Sequence, residues 1–311
     1  MNRLLTVNNL DVQYGDTHIL KGVSAWIDSG SILGVVGESG SGKSTLIYAI
    51  LGILSGEGKI TGGSICFDGK NLLDINSEEF RQIRGKEISL IAQNPMASFH
   101  PIRKIGSQLK DLIRSHPDIS YEQAQEEMIT IMEKINLKDC KKILNSYAFE
   151  LSGGMAQRVS IAMAMVLHPK LLLADEPTSA LDVISQKQVV EEMMKIRDEY
   201  NTAILIVSHN MGVISSMADH IVVMHNGVVV EAGNKNDIVK HHLHPYTINL
   251  FNSIPDMNKP LESGIRSFPK ISAEGFCPYV SVCSKKTDAC QKESPKDKEI
   301  EPGHFIKCRN V

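Results

Sequence analysis

The chain lacks long apolar runs and is poor in aromatic residues. Phe, Trp and Tyr account for 5% of its 311 residues, and tryptophan occurs once. No apolar run approaches the roughly 20 residues of a transmembrane helix, and residues 159–174, the nearest candidate, are interrupted by His168, Pro169 and Lys170. The first residues also lack the apolar core of a signal peptide. The sequence therefore predicts a cytoplasmic protein that reaches a membrane only through partners.

An excess of charge of either sign is missing as well. The net charge is −3, from 33 Lys and Arg residues against 36 Asp and Glu residues. This balance gives no reason to expect binding to nucleic acid or to an anionic membrane surface. The contents of hydrophobic residues (42%) and charged residues (22%) are ordinary for a globular protein. The length allows one large domain and a smaller additional part.

Cysteine is sparse except near the C-terminus. Cys66 and Cys140 stand apart from the others along the chain. The remaining four are close together in sequence: Cys277, Cys283, Cys290 and Cys308. In a reducing compartment, such crowding suggests a metal or a cluster before it suggests disulfide bonds.

Residues 37–44 read GESGSGKS and fit G-x-x-x-x-G-K-[ST], the phosphate-binding loop of nucleotide triphosphatases. An apolar strand pattern precedes the loop and a helical pattern follows it, which disfavours a glycine- and serine-rich turn that matches by coincidence. Glycines let successive N–H groups point at phosphate oxygens, and a helix that starts near Lys43 adds its positive dipole end. Lys43 would contact the β- and γ-phosphates, and the Ser44 hydroxyl would ligate Mg²⁺. The predicted nucleotide-binding residues here are Gly37, Glu38, Ser39, Gly40, Ser41, Gly42, Lys43, Ser44 and Thr45.

Short apolar runs separated by helical patterns indicate an α/β core. The first 30 residues alternate as strands do, residues 183–199 show helical periodicity, and Asn226-Gly227 predicts a hairpin turn. Strands that alternate with helices indicate a parallel sheet flanked by helices. The predicted buried strands span residues 31–36, 88–92, 171–174 and 203–207.

Two regions differ from this core. Apolar residues recur at helical spacing over residues 103–168, which predicts a helical insertion. After Pro255 the sequence becomes polar and loses clear periodicity. We therefore expect a nucleotide-binding domain over residues 1–255, with a helical subdomain at about 95–168, and a C-terminal extension over residues 256–311.

Two carboxylates follow the apolar run at 171–174. Asp175, at the strand end, can hold Mg²⁺, and Glu176 can polarise a water molecule for attack on the γ-phosphate. The alternative is a solvated acidic pair after a buried strand, which the phosphate loop makes less attractive.

Residues 151–155 read LSGGM and stand at the predicted start of a helix near Ala156. A hydroxyl followed by Gly153 and Gly154 can make a second anion-binding helix N-terminus. The alternative is a simple capped helix, because Ser152 is a good N-cap residue.

Further characteristic residues occur in a particular order along the chain. They are the loop with Lys43, then Gln93, Leu151–Gly154, Asp175, Glu176, Ser179–Asp182 and His209. In this order the chain resembles ATP-binding cassette (ABC) ATPases over about residues 4–250. The Leu-Ser-Gly-Gly element is the most specific, because ordinary phosphate-loop enzymes lack it. The resemblance implies a P-loop NTPase (RecA-like) α/β core with an N-terminal antiparallel β subdomain, an inserted helical subdomain and a small cysteine-containing extension.

The resemblance also implies roles for individual residues. Two subunits would sandwich two ATP molecules, each held by the loop of one subunit and the Ser152, Gly153 and Gly154 element of the other. Gln93 would contact Mg²⁺ and the attacking water, and His209 would contact the γ-phosphate. Tyr14 would stack on adenine, and Asp182 would shape the interface between the two subunits. Their simpler alternatives are a strand aromatic for Tyr14, a loop-end histidine for His209 and a helix cap for Asp182.

Met155 stands where the general family pattern has glutamine. In this feature the chain resembles the subfamily that imports oligopeptides, dipeptides and nickel. The segments at 93–101 and 244–247 resemble that subfamily too, and so does the four-cysteine tail, which in that subfamily can hold an iron–sulfur cluster. Four thiolates suit a [4Fe–4S] cluster. Zinc is the second choice, because the gaps of five, six and seventeen residues differ from the usual first gap of two to four. Free cysteines are the remaining alternative.

The predicted function is the ATP-hydrolysing subunit of an importer for oligopeptides or dipeptides. The same role in a nickel or metal-chelate importer is the first alternative. The others are a cassette ATPase that acts on DNA or ribosomes and a regulatory cassette without activity. The implied partners are a second ATPase subunit, identical or different, two membrane-spanning permease subunits and an external binding protein. The chain would then lie at the cytoplasmic face of the membrane.

Overall fold

The computed structural model describes residues 3–116, 118–252 and 277–311. The domain boundary expected after residue 255 falls outside these residues. The strands are β1 (Arg3–Tyr14), β2 (Thr17–Asp28), β3 (Ile32–Val36), β4 (Gly58–Phe67), β5 (Lys70–Asn71), β6 (Ile88–Ile91), β7 (Leu171–Asp175), β8 (Ala203–Ser208), β9 (His220–His225), β10 (Val228–Asn234), β11 (Lys298–Glu301) and β12 (His304–Ile306). The α-helices are α1 (Lys43–Ile50), α2 (Ser77–Ile83), α3 (Pro95–Ser98), α4 (Ile105–Arg114), α5 (Tyr121–Lys134), α6 (Cys140–Asn145), α7 (Gly153–Met165), α8 (Val183–Tyr200), α9 (Met211–Met217), α10 (Lys235–Lys240) and α11 (Pro245–Asn252).

The main sheet has the strand order β11-β12-β10-β9-β3-β8-β7-β6. The strands from β9 to β6 run parallel to their neighbours, whereas β9 and β10 form an antiparallel hairpin. Every residue of β3, β7 and β8 is buried, as expected for parallel strands covered by helices on both faces. The predicted parallel α/β core and the predicted hairpin at Asn226-Gly227 are therefore confirmed. This arrangement brings the carboxyl ends of β3, β7 and β8 to one edge of the sheet.

A second, antiparallel sheet has the order β2-β1-β4-β5. Its first hairpin turns at Gly15, which has φ +54°, and Asp68 and Gly69 connect β4 to β5 with φ values of +46° and +78°. These left-handed conformations explain why the turns contain Asp-Gly and Gly-Asp pairs. The expected N-terminal antiparallel β subdomain is thus present.

Helices α3 to α7 lie between β6 and β7 in the chain, where the sequence predicted a helical insertion. The apolar faces of α4, α5 and α6 bury Leu109, Met128 and Ile143 in the same core as the middle of α7. Helix α7 begins at Gly153, earlier than the predicted Ala156, because Ser152 caps it by accepting a hydrogen bond from the Met155 N–H.

The described part of the C-terminal extension is ordered and continues the main sheet. Strand β12 pairs antiparallel with β10, with Glu231 opposite Ile306 and Ala232 opposite Phe305. The Phe305 ring meets Trp26 of β2 edge-on, with 6.2 Å between ring centroids. Within the described residues, no helix is long and apolar enough to cross a membrane.

Candidate nucleotide-binding site

The phosphate loop runs from the end of β3 to the start of α1, as its sequence predicted. Gly42 precedes the helix with φ +98°, a conformation that strongly favours glycine. A Cβ atom at Gly37 would lie 2.2 Å from the Met224 carbonyl oxygen, so no larger residue fits without movement of β9. The two glycines therefore determine the tight path of the loop between β3, β9 and α1.

Lys43 holds the loop from inside. Its side chain is buried, and Nζ donates hydrogen bonds to the carbonyl oxygens of Gly37 at 2.8 Å and Glu38 at 2.9 Å. Burial lowers the pKa of Lys43, while the carboxylates of Glu176 and Asp175 act to raise it. A cation in this position, between the loop carbonyls and two acidic side chains, is suited to the phosphates of a nucleotide.

Asp175 ends β7 and is 1% exposed. Its carboxylate accepts hydrogen bonds from the Ser44 hydroxyl at 2.9 Å and from the Tyr48 hydroxyl at 3.2 Å. Burial raises the pKa of Asp175, and these two hydrogen bonds oppose the rise. Because a carboxylate and a hydroxyl are hard oxygen ligands, Ser44 and Asp175 fit a Mg²⁺ ion at this point.

Tyr48 is a contact that the sequence analysis missed. It lies one helical turn after Ser44 on α1, so both hydroxyls are on the face that meets β7. The spacing of four residues between Ser44 and Tyr48 could have indicated that both hydroxyls face β7. The pattern of this helix is mainly apolar, however, and gave no reason to look for a hydroxyl group.

The three predicted catalytic residues, Glu176, His209 and Gln93, meet at the Glu176 carboxylate. Glu176 follows β7 with φ +46°, and its N–H donates to the Val207 carbonyl oxygen at 3.0 Å. Its carboxylate lies 3.0 Å from His209 Nδ1 and accepts a hydrogen bond from Gln93 Nε2 at 3.4 Å. Glu176 is mostly buried, with 12% of its side chain exposed, whereas His209 is 54% exposed. The His209 imidazole is therefore held by Glu176 while much of it remains accessible to solvent.

Other predicted residues lie apart from this cluster in the single chain. Tyr14 ends β1, and its ring contacts Gly58, where a Cβ atom would approach within 2.8 Å. Ser152 and Gly153 are exposed at the start of α7. Asp182 caps α8 by accepting hydrogen bonds from the N–H groups of Ile184 and Ser185, so its helix-cap alternative is observed. The adenine and dimer-interface roles remain predictions.

The four C-terminal cysteines line one small cavity of about 10 Å³, together with His244 and Tyr279. Burial raises the pKa of Cys277 to about 11. Among residues 3–116, 118–252 and 277–311, no three His, Cys, Asp or Glu side chains are arranged to hold a single metal ion. The four thiols therefore share a cavity without forming a recognised ion site in the described part of the chain.

Comparison with known proteins agrees with this geometry. A family described as "ABC transporter" matches residues 20–179, which include the phosphate loop and both carboxylates after β7. A second family, described as "Oligopeptide/dipeptide transporter, C-terminal region", matches residues 230–290.

Individual proteins are similar over three quarters or more of the chain. The oligopeptide transport ATP-binding protein OppD of Haemophilus influenzae is 37% identical, over 99% of this chain and 97% of the relative. The probable D,D-dipeptide transport ATP-binding protein DdpD of Escherichia coli is 41% identical, over 79% of this chain and 75% of the relative. Among solved structures, cbiO1 of Clostridium perfringens, part of an ABC transporter complex, superposes with a TM-score of 0.67 and 25% identity, over 76% of this chain and 91% of that one. The chain therefore belongs to the ABC transporter family of ATPases and carries the C-terminal region of its oligopeptide/dipeptide group.

Proposed function

We propose that this chain is the ATP-hydrolysing subunit of an importer for oligopeptides or dipeptides. The observation that carries the proposal is the convergence of Lys43, Ser44, Asp175 and Glu176 on one loop, in a chain whose residues 230–290 match the peptide-transporter region. The proposed division is a nucleotide-binding domain over residues 1–255 and an extension over residues 256–311.

Hydrolysis follows from the arrangement of these side chains. The loop N–H groups and Lys43 would bind the phosphates of ATP, and Ser44, Asp175 and Gln93 would hold Mg²⁺, which would neutralise phosphate charge. Glu176 accepts a proton from a water molecule as the water oxygen bonds to the γ-phosphorus and the bond to the bridging oxygen breaks. His209, which is hydrogen bonded to Glu176, would orient that carboxylate and contact the γ-phosphate.

We propose that a second ATPase subunit completes each nucleotide site. Ser152, Gly153 and the half-buried Gly154 form the start of a helix of 13 residues, where N–H groups and the helix dipole favour an anion. The Tyr14 ring, at the end of β1, would stack on adenine. The partner subunit would bring its own loop to Ser152, and its ATP would lie between the two subunits.

Two permease subunits and an external binding protein would complete the importer, with this chain at the cytoplasmic face of the membrane. Ile102 and Phe149 support a docking role for the helical insertion, because they are 78% and 65% exposed although apolar. Peptide cargo is favoured over nickel because the C-terminal family and the similar relatives are described by peptide transport. The charge balance gives no support to a nucleic-acid partner.

Assembly with its permeases tests this function. The chain, co-expressed with candidate permeases and a candidate binding protein from the same organism, should form a detergent-stable complex. ATP hydrolysis by that complex should rise when the binding protein carries a short peptide. Stimulation by a nickel-loaded binding protein, but not by a peptide-loaded one, would instead support the metal importer. Hydrolysis stimulated by DNA or ribosomes would overturn the importer assignment.

We further propose that Cys277, Cys283, Cys290 and Cys308 hold a [4Fe–4S] cluster as a structural element of the extension. The shared cavity supports this proposal. Four thiolates suit such a cluster, and the gaps of five, six and seventeen residues between the cysteines differ from the first gap of two to four that is usual for structural zinc.

Protein purified without oxygen is expected to be brown and to contain about four iron atoms and four sulfides per chain. Cys290→Ser should remove most of the iron, whereas Cys140→Ser, which changes a cysteine outside the cavity, should leave it bound. Colourless protein with stoichiometric zinc would show that the second choice is right, and colourless metal-free protein would support free cysteines.

A further inference from the structure

A buried tyrosine lies behind the phosphate loop and belongs to none of its motifs. Tyr246, near the start of α11, is 1% exposed, and its hydroxyl accepts a hydrogen bond from the Glu38 N–H at 3.0 Å. The Glu38 N–H and the Gly37 carbonyl belong to the same peptide group. That carbonyl accepts the hydrogen bond from Lys43 Nζ. The first peptide group of the loop is thus held at its oxygen by Lys43 and at its nitrogen by Tyr246.

The backbone of Tyr246 is fixed by a chain of buried hydrogen bonds. The Tyr246 N–H donates to His244 Nδ1 at 3.0 Å, and the His244 N–H donates to the Glu231 carboxylate at 3.0 Å. Glu231, on β10, is fully buried and also lies 2.9 Å from His304 Nε2 of β12. Burial lowers the pKa of His244 to about 3, so its imidazole is neutral and Nδ1 is an acceptor near pH 7. The C-terminal hairpin therefore takes part in placing Tyr246.

The Tyr246 ring is held by two further rings. His225 of β9 lies 4.3 Å away between centroids, and Tyr279 packs edge-on at 5.4 Å. Tyr279 belongs to the extension, lines the cavity of the four cysteines and accepts a hydrogen bond from the Asn249 amide. A continuous set of contacts thus joins the cysteine cavity, through Tyr279 and Tyr246, to the phosphate loop.

We propose that Tyr246 is a positioning residue for nucleotide binding, and that Tyr279 of the extension keeps it in place. Lys43 Nζ has three N–H donors and uses two of them on loop carbonyl oxygens, so when ATP binds, its phosphates and the Gly37 carbonyl oxygen share this one cation. The hydrogen bond to Tyr246 then keeps that peptide group from rotating its carbonyl oxygen toward the phosphates, where two negative groups would repel each other. This role rests on the proposed nucleotide site and assigns to the extension an effect on that site.

Tyr246→Phe tests the hydroxyl while keeping the ring. We expect the Kd for Mg·ATP of the full-length chain to rise about 3- to 10-fold, the range for loss of one buried hydrogen bond. In the assembled complex, KM for ATP should rise by a similar factor while kcat changes less than about two-fold, because the group acts on ground-state binding. Tyr200→Phe is the matched control, since it removes a hydroxyl that contacts Glu127 and Lys134 far from the loop.

The results separate this role from general stability and from the proposed function. A fall in melting temperature with an unchanged Kd would make Tyr246 merely structural and would overturn the proposal. If the wild-type chain itself failed to bind Mg·ATP, the proposed nucleotide site would be wrong instead.

A double-mutant cycle tests the link to the extension. Tyr279→Leu should weaken Mg·ATP binding about two-fold or more in the wild-type chain and have no further effect in the Tyr246→Phe background. Equal effects of Tyr279→Leu in both backgrounds would show that the extension does not act through Tyr246.

Discussion

Replacing Glu176 with glutamine is expected to abolish most ATP hydrolysis while leaving ATP binding near normal. Glutamine has nearly the same shape and can still contact His209, but its amide does not accept a proton from water. The loss of a general base lowers rates by about 10²- to 10⁴-fold. Phosphate release by the assembled complex, measured beside equilibrium binding of Mg·ATP, checks both halves of the expectation.

The same change at an exposed glutamate serves as the control. Glu122 lies in the first turn of α5, away from the nucleotide, so Glu122→Gln should keep normal turnover. Near-normal turnover in Glu176→Gln would remove Glu176 from the role of base. Loss of ATP binding in that variant would mean that the carboxylate serves mainly to place Lys43, whose charge it faces.

Lys43→Met is expected to weaken ATP binding by about 100-fold or more. Methionine has a similar length, but it removes the cation and both hydrogen bonds to the loop carbonyl oxygens. Charge-assisted hydrogen bonds to phosphate are among the stronger polar contacts in proteins, and two carbonyl groups would also lose their donor. Titration of the full-length chain with a fluorescent ATP analogue measures the change.

Lys142→Met provides the comparison, because Lys142 is exposed on α6 in the helical insertion. That variant should bind the analogue as the wild-type chain does. If the Lys43→Met variant bound the analogue with an affinity within ten-fold of the wild-type value, a direct role of Lys43 at the phosphates would be contradicted. Such a change corresponds to a loss of less than about 1.4 kcal/mol of binding free energy.

The parts of the site that depend on local sequence were predictable. The phosphate loop and the acidic pair at Asp175 follow from short motifs that also determine their neighbouring strand and helix. Glu176, His209 and Gln93 lie far apart in the chain, and only the family resemblance indicated that they would meet. Their contacts follow from the parallel order of β3, β8, β7 and β6, which no single segment encodes.

The contact between Tyr246 and the phosphate loop was also not predictable, because it joins segments that lie far apart in the sequence. Tyr246 and Glu38 are separated by 208 positions, and a buried tyrosine in an apolar helix resembles any core residue. Strands β11 and β12 are short, and the charged sequence of β11 has no apolar alternation, so its pairing depends on partners elsewhere. The roles proposed for Ser152 and Tyr14 depend on a second subunit and a bound base, and one chain alone does not provide either.

The pairing of β12 with β10 has a consequence for how the molecule avoids aggregation. Without the final hairpin, β10 would expose unpaired backbone donors and acceptors, which invite other strands to add. Among the residues that the structure describes, β11 is the edge strand on this side of the sheet, and its Lys298, Glu299 and Glu301 are exposed and charged. Charged outer strands discourage such association. A chain shortened before residue 277 would therefore be prone to stick to its own copies, whatever the state of its nucleotide site.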